Sequence, residues 1–434
     1  MRRLWLLLII LAAMLVSGCA IQTREQLYAL PRRSQEYNNL QAVVDNAMAG
    51  LDYSAPVAGE NQQTVQMADL DGDGTPEFLL FARGGGERPL HILIFRETEE
   101  GYSLGNTIEC QGTAFDKIEY VQMDENPGME LVVGCQVSDQ VVRAAGVYTF
   151  ASGEPELLET VSYAEYLCTD LDGDGWGEIF LLRPGMGENG SAQILTMKDG
   201  GMEPPLHAEM SAPIENRRRI IAGLLSDGYQ AVFVASTSGD GAMLTDVYTY
   251  ASGMLANVTY SMESGGSLET LRAYPVFADD IDDDGVVELP DVLSVSQGQE
   301  NGDGEQYTIR WYALDSKGNQ TDKRYTYHDF TAGWYLDLKS GWAGRLMVGR
   351  EEGGWAFYLR GEGESATKML TVFAFTGEDR EEQAVQDNRF VLLRTEAVTY
   401  AAHLEVASGL LDITQEELTG GFHLIYREWK TGET

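Results

Sequence analysis

Three short acidic stretches hold the residues best suited to chemistry. Residues 69–77 read Asp-Leu-Asp-Gly-Asp-Gly-Thr-Pro-Glu, residues 170–178 read Asp-Leu-Asp-Gly-Asp-Gly-Trp-Gly-Glu, and residues 280–288 read Asp-Ile-Asp-Asp-Asp-Gly-Val-Val-Glu. Each places Asp at positions 1, 3 and 5, Gly at 6 and Glu at 9. Carboxylates at alternating positions of a tight loop can turn inward together, and a glycine permits the sharp bend. The chemistry this implies is capture of a hard cation by oxygen. Calcium takes about six to eight oxygens in a flexible shell, which suits such loops better than the strict octahedron of magnesium. The expected ligands of the first stretch are the side chains of Asp69, Asp71, Asp73 and Glu77 with the carbonyl of Thr75. Those of the second are Asp170, Asp172, Asp174 and Glu178 with the carbonyl of Trp176. Those of the third are Asp280, Asp282, Asp284 and Glu288 with the carbonyl of Val286. The metal-free alternative is an acidic β-turn, which Asp and Gly favour, but so many close carboxylates repel unless a cation offsets them. An EF-hand would need Glu at position 12 between helices. Leu80, Leu181 and Asp291 stand there instead, and the flanks are strand-like.

The elements that must hold these loops read as short strands. Residues 65–68 lead into the first loop and the continuously apolar 78–81 leads out, as expected of a strand buried on both faces. The glycine-rich 83–89 lacks the Lys-Ser/Thr and the strand-to-helix setting of a phosphate loop and reads as a turn before another strand at 90–95. Eroded copies of the same grammar occur at 120–133, around Asp124, and at 220–234, around Asp227. With the first Asp as anchor, positions 69, 124, 170, 227 and 280 lie 55, 46, 57 and 53 residues apart. That interval suits a unit of about four strands, the blade of a β-propeller. Later segments keep the strands without the acids. Residues 307–314 and 324–327 read as outer strands of a fifth unit, and 334–338, 346–349, 355–359 and 370–375 as a sixth. Residues 390–393 and 398–404 read as a seventh, with a capping box at Thr414 and Glu417 and a closing strand at 422–429. The expected fold is therefore all-β, a propeller of about seven, alternatively six, four-stranded blades over 63–434.

Before the strands, residues 34–62 read as a helix and a lead-in. Ser34 caps a helix over 35–49 whose Leu40, Val43, Val44, Ala47 and Met48 form one apolar stripe, expected to pack on the body. Residues 1–18 read as an export signal: Arg2 and Arg3, then an apolar stretch at 4–16 too short to span a bilayer. Val16-Ser17-Gly18-Cys19 resembles the bacterial lipobox, which implies lipidation of Cys19, and 19–33 reads as a tether. Membrane attachment then comes from acyl chains and not from the acidic body.

A formal charge of -38, from 68 acidic and 30 basic residues, excludes the electrostatics of nucleic-acid binding. Cys110, Cys135 and Cys168 allow one internal disulfide, so the chain is no disulfide scaffold. No CxxC occurs, and the five His are scattered, so zinc is unsupported.

The acidic loops resemble the calcium-binding hairpins of FG-GAP/VCBS-type repeats, found in integrin α-chain propellers and many bacterial surface proteins. The lipobox, the helix and Asn61-Gln62-Gln63 are similar to VCBS-repeat lipoproteins of Gram-positive bacteria. The Phe-Gly and Gly-Ala-Pro signatures of the integrin form are absent, so that family's ligand-binding role is not implied. The expectation is a lipid-anchored, extracytoplasmic, non-enzymatic propeller with structural calcium and a protein or glycan ligand. The alternatives are a glycan-active hydrolase or lyase, which needs paired carboxylates outside the loops, and an envelope assembly factor. No Gly-x-Ser-x-Gly or His-Glu-x-x-His motif supports the enzyme.

Overall fold

The structure, a computed structural model, describes residues 35–99, 101–137, 142–294, 296–297, 306–342, 344–351, 353–361, 366–405 and 413–425. The export signal, Cys19, the tether and the capping Ser34 lie outside them. The chain is all-β, with three short α-helices among the described residues. Helix α1 (Gln35–Ala47) precedes the first sheet, which contains β1 (Asp52–Tyr53), β2 (Val65–Ala68), β3 (Glu77–Arg83), β4 (Leu90–Thr98) and β5 (Gly101–Cys110). The second sheet is the meander β6 (Ala114–Val121), β7 (Glu130–Gln136), β8 (Arg143–Thr149) and β9 (Glu156–Tyr163). The third takes β10 (Glu165–Thr169), β11 (Glu178–Pro184), β12 (Gly190–Leu195) and, beyond a small ribbon of β13 (Met197–Lys198) and β14 (Gly201–Met202), β15 (Leu206–Glu209). The fourth is β16 (Arg217–Leu224), β17 (Gln230–Thr237), β18 (Met243–Ala251) and β19 (Met254–Asn257).

The last strands are β20 (Glu288–Ser294), β21 (Ser296–Gln297), β22 (Gln306–Leu314), β23 (Gln320–Asp329), β24 (Trp334–Leu338), β25 (Leu346–Glu351), β26 (Gly354–Arg360), β27 (Ala366–Thr376), β28 (Phe390–Arg394), β29 (Val398–Leu404) and β30 (Phe422–Leu424). Helix α2 (Arg380–Gln383) joins β27 to β28, and α3 (Gln415–Gly420) precedes β30. The fifth sheet orders β20-β22-β23-β24-β30, and the sixth β21-β25-β26-β27-β29-β28. All neighbours pair antiparallel except β21 with β25. Six sheets of four or more strands thus accompany one two-stranded ribbon, and among the described residues no sheet closes into a barrel.

The sixth and seventh expected units need correction. Segment 334–338 belongs to the fifth sheet, because a tight turn folds β24 straight back on β23. The Asp329 carboxylate accepts the Ala332 amide at 2.8 Å and its carbonyl accepts the Gly333 amide at 2.9 Å. Segments 390–393 and 398–404 build no seventh sheet. The long β27 pairs with β26 on one side and over Leu370–Thr376 with β29 on the other, so they extend the sixth. Of the expected closing strand, only β30 is described, and it pairs with β24. The Thr414–Glu417 capping box is present on α3.

The continuously apolar strands are explained by their position between two neighbours. In β11, Ile179 and Leu181 face the second sheet while Phe180 and Leu182 face the fourth. In β7, Leu131 and Val133 pack on the first sheet and Val132 on the third. In β17, Val232 and Val234 face the third sheet and Phe233 the fifth. Because side chains alternate across a strand, each sheet buries both faces and the sheets stack in chain order. The outer face of the first sheet is covered by α1, whose Val44 packs with Leu80, Ala82, Leu93 and Phe95. This is the expected stripe of Leu40, Val43, Val44, Ala47 and Met48, although the helix ends at Ala47. No described helix is long and apolar enough to cross a membrane.

Candidate metal centres

The acidic loops lead into β3 of the first sheet, β11 of the third and β20 of the fifth, and each begins with an Asp that organises the bend. Asp69 accepts the Gly72 and Gly74 amides at 2.8 and 2.9 Å, and Asp170 accepts those of Gly173 and Gly175 at the same distances. Asp280 accepts the Asp284 and Gly285 amides at 3.1 and 2.8 Å. The Glu at position 9 opens the next strand and is buried. Its carboxylate takes the amide seven residues back: Glu77 from Leu70 at 2.8 Å, Glu178 from Leu171 at 2.8 Å, and Glu288 from Ile281 at 3.1 Å. In the fifth sheet the strand before the loop has shrunk to one bridge, Asp279 with Glu288.

Carboxylate oxygens of Asp69, Asp71 and Glu77 lie within 4.8 Å of one another, as do those of Asp170, Asp172 and Glu178, and those of Asp280, Asp282 and Glu288. Each group can hold a metal ion. Asp73, Asp174 and Asp284, the remaining expected side-chain ligands, lie outside these three groups. Each accepts the backbone amide two residues on, at Thr75 (2.7 Å), Trp176 (2.8 Å) and Val286 (2.9 Å), a contact that Asp71 and Asp172 also make, at 3.3 Å. Thr75 is exposed, and Trp176 and Val286 are half-buried.

Burial first, then the neighbouring loop acids, push the Glu178 carboxyl up to about 8 and that of Glu288 up to about 7, and burial likewise raises Glu77. Glu288 Oε1 is buried without a hydrogen-bond partner. A buried carboxylate oxygen without a hydrogen bond, amid further carboxylates and with Lys323 no nearer than 3.9 Å, fits a cation. The donors are all hard oxygens, which suits calcium or magnesium and not zinc.

The three loops differ in their surroundings. In the first, Arg96 from β4 lies 3.7 Å from Asp71 and 3.8 Å from Glu77. In that of the fifth sheet, Lys323 from β23 pairs with Asp284 at 2.6 Å and lies 3.9 Å from Glu288. In the third sheet no basic side chain pairs with this loop among the described residues. This loop opens instead onto a cleft of about 770 Å³ lined by Asp124, Asn126, Trp176, Lys198, Glu203 and Tyr250. A second cleft of about 510 Å³ separates it from Asp227 and Tyr229.

The second sheet holds a fourth copy that anchoring on Asp124 misplaced by two residues. Glu130 accepts the Met123 amide at 3.0 Å, as its counterparts do, so Gln122 stands at position 1, Asp124 at 3 and Asn126 at 5. The Asn126 amide nitrogen of the side chain donates to Asp124 at 2.8 Å, and the Thr149 hydroxyl donates to Glu130 at 3.1 Å. Neutral donors thus serve here where the other loops gather bare carboxylates. Starting from the Glu and the apolar strand behind it would have found this register in sequence. The fourth sheet keeps only the turn, and Asp227 accepts from the Ser316 amide and hydroxyl of the next sheet. Arg96, Lys323 and Tyr250 reach the loops from distant strands and leave no local signal.

The first three loops touch in succession, and the loop of the fifth sheet touches the fourth sheet. A Cβ on Gly72 would fall 2.3 Å from the Pro127 carbonyl carbon, and the Gly177 amide donates to the Gln122 carbonyl at 2.7 Å. The Val287 amide donates to the Leu224 carbonyl at 3.0 Å.

No protein-family model matches the chain, and no curated protein matches it. Among solved structures, the rhamnogalacturonan lyase YesW aligns over 73% of this chain and 76% of its own, at 10% identity and a TM-score of 0.30. The Tc holotoxin pore of Photorhabdus luminescens aligns over 72% of this chain and 15% of its own, at 10% identity and a TM-score of 0.21. Likenesses of this strength carry no argument about fold or function.

Proposed function

We propose that the protein is a lipid-anchored, extracytoplasmic β-propeller whose acidic loops bind calcium as structural braces and whose remaining loops hold a protein or glycan. The observation that carries the calcium reading is the repeated convergence of two Asp carboxylates with a buried Glu at one place in three sheets. A dication there offsets the repulsion among carboxylates, which Arg96 and Lys323 meet only in part in two of the loops and no basic side chain meets in the third sheet among the described residues. The six large sheets, stacked in chain order by alternating side chains, support reading them as blades. The anchor rests on the lipobox at Cys19, and the absence of a nucleophile motif favours a binding role over catalysis. The cleft beside Trp176 and Tyr250 is a surface where an aromatic face and acidic groups meet, the kind that suits a polar ligand such as a glycan. Extracellular calcium modules bind at about 10⁻⁴–10⁻³ M, so these loops would be filled outside the cell.

The test is a thermal melt of the full chain in millimolar calcium and again in EGTA. A lower melting temperature in EGTA, restored by calcium and not by equal magnesium, is expected; an unmoved curve sinks the metal reading. Cys19→Ser should release the protein from membranes into the medium. Crosslinking in intact cells, followed by isolation of the bound species, would identify the ligand.

A further inference from the structure

We infer that Cys110 and Cys135 are a dithiol pair that oxidises to a disulfide stapling the first sheet to the second. Cys110 ends β5, and residues 111–113 cross to the second sheet directly over Cys135. The crossing backbone is fixed there: the Thr113 amide donates to the Gln136 carbonyl at 2.7 Å, and a Cβ on Gly112 would lie 3.3 Å from that of Cys135. Cys135 is 4% exposed within the core between the two sheets, and the half-buried Cys110 packs against the same core. Both line a cavity of about 280 Å³ together with Arg88 and Tyr148, whose hydroxyl is 3.9 Å from Cys110 Sγ. Cys168 packs in the next interface, between the second and third sheets, so it is no partner for either. All three are free thiols in this structure.

The asymmetry of the pair assigns the order of events. Cys110 is half-buried, lining the cavity beside Arg88 with the Tyr148 hydroxyl 3.9 Å from its Sγ, whereas Cys135 is 4% exposed and reached less easily by an oxidant. Cys110 is thus the attacking sulfur. With a small-molecule disulfide as oxidant, its thiolate attacks one sulfur, displacing one thiolate and leaving a mixed disulfide. Cys135 then loses its proton, attacks Cys110 Sγ and displaces the second thiolate. One protein S–S bond forms, two protein thiols are oxidised, and one oxidant disulfide is reduced to two thiols. The chemistry is independent of the calcium reading and does not rest on the cellular location proposed above.

The experiment equilibrates the full chain with oxidised glutathione, traps by acid, alkylates and maps peptides by mass. The peptides of Cys110 and Cys135 should be joined, with Cys168 alkylated singly after denaturation. Cys135→Ser should leave glutathione on Cys110, whereas Cys110→Ser should leave Cys135 without an adduct. Separate alkylation of Cys110 and Cys135 in the oxidised wild type, or a cross-link to Cys168, overturns the pairing without requiring any variant to fold. The oxidised protein should also melt above the reduced form, and a lower melting temperature would overturn the staple.

Discussion

At the scale of single residues, the position-9 Glu decides how each loop behaves. An acid whose folded pKa exceeds its unfolded value, near 4.3, holds its proton more tightly when folded. Its contribution to metal-free stability is full below that value and is lost as pH rises through about 8 for Glu178 and about 7 for Glu288. In chelator the wild type should therefore melt at falling temperature from pH 5.5 to pH 8.5. Glu178→Gln keeps an acceptor for the Leu171 amide and removes the charge, so it should flatten part of that fall and melt above wild type at pH 8. It should also remove one calcium-binding step. A Glu178→Gln melting profile parallel to wild type would contradict this account. Arg96 and Lys323 already place a cation beside two of the loops, so the third-sheet loop should bind calcium tightest. Lys323→Met should tighten the loop of the fifth sheet, as read by calcium titration calorimetry; weaker binding would instead make Lys323 an organiser of the ligands.

At the scale of elements, the loops depend on close backbone contact as much as on carboxylates. Gly72 has φ +72° and no room for a Cβ, while Gly74 has φ +87° and open space around it. Gly74→Ala should cost only the left-handed strain, about 1–2 kcal/mol. Gly72→Ala adds a clash with the second loop, roughly 1–3 kcal/mol more. Urea unfolding of the two variants measures the difference, and equal losses would mean the loops do not truly abut. Helix α1 supplies the other element-level contact. Val44→Ala should destabilise by roughly 1–2 kcal/mol, since it removes buried methyl groups from the outer face of the first sheet.

For the whole molecule, metal and sheets act together. The metal-type loops of the first and third sheets both abut the loop of the second, and that of the fifth abuts the fourth sheet, so an ion in one stiffens a hairpin against its neighbour. A site with free calcium at ten times its Kd stabilises by about 1.4 kcal/mol, and three such sites by about 4 kcal/mol. Calcium-dependent unfolding free energy, measured over a calcium series, should approach that sum. A plateau near the value of one site would show that only one loop binds.

The sequence by itself determined the all-β class, the three acidic loops and the burial of strands on both faces. These depend on residue type and period within a few positions, as the runs at 78–81 and 179–182 illustrate. Tertiary structure decided which carboxylates converge. Asp73, Asp174 and Asp284 look equivalent to their neighbours in sequence, yet they lie outside the three groups that gather at the buried Glu. It also decided that Gln122 begins the second loop, that 334–338 completes the fifth sheet and that 390–404 extends the sixth. Strand partners and cross-strand cations such as Arg96 and Lys323 are set by register between distant segments. No local pattern encodes that register, because a strand presents the same alternation to whichever neighbour it meets.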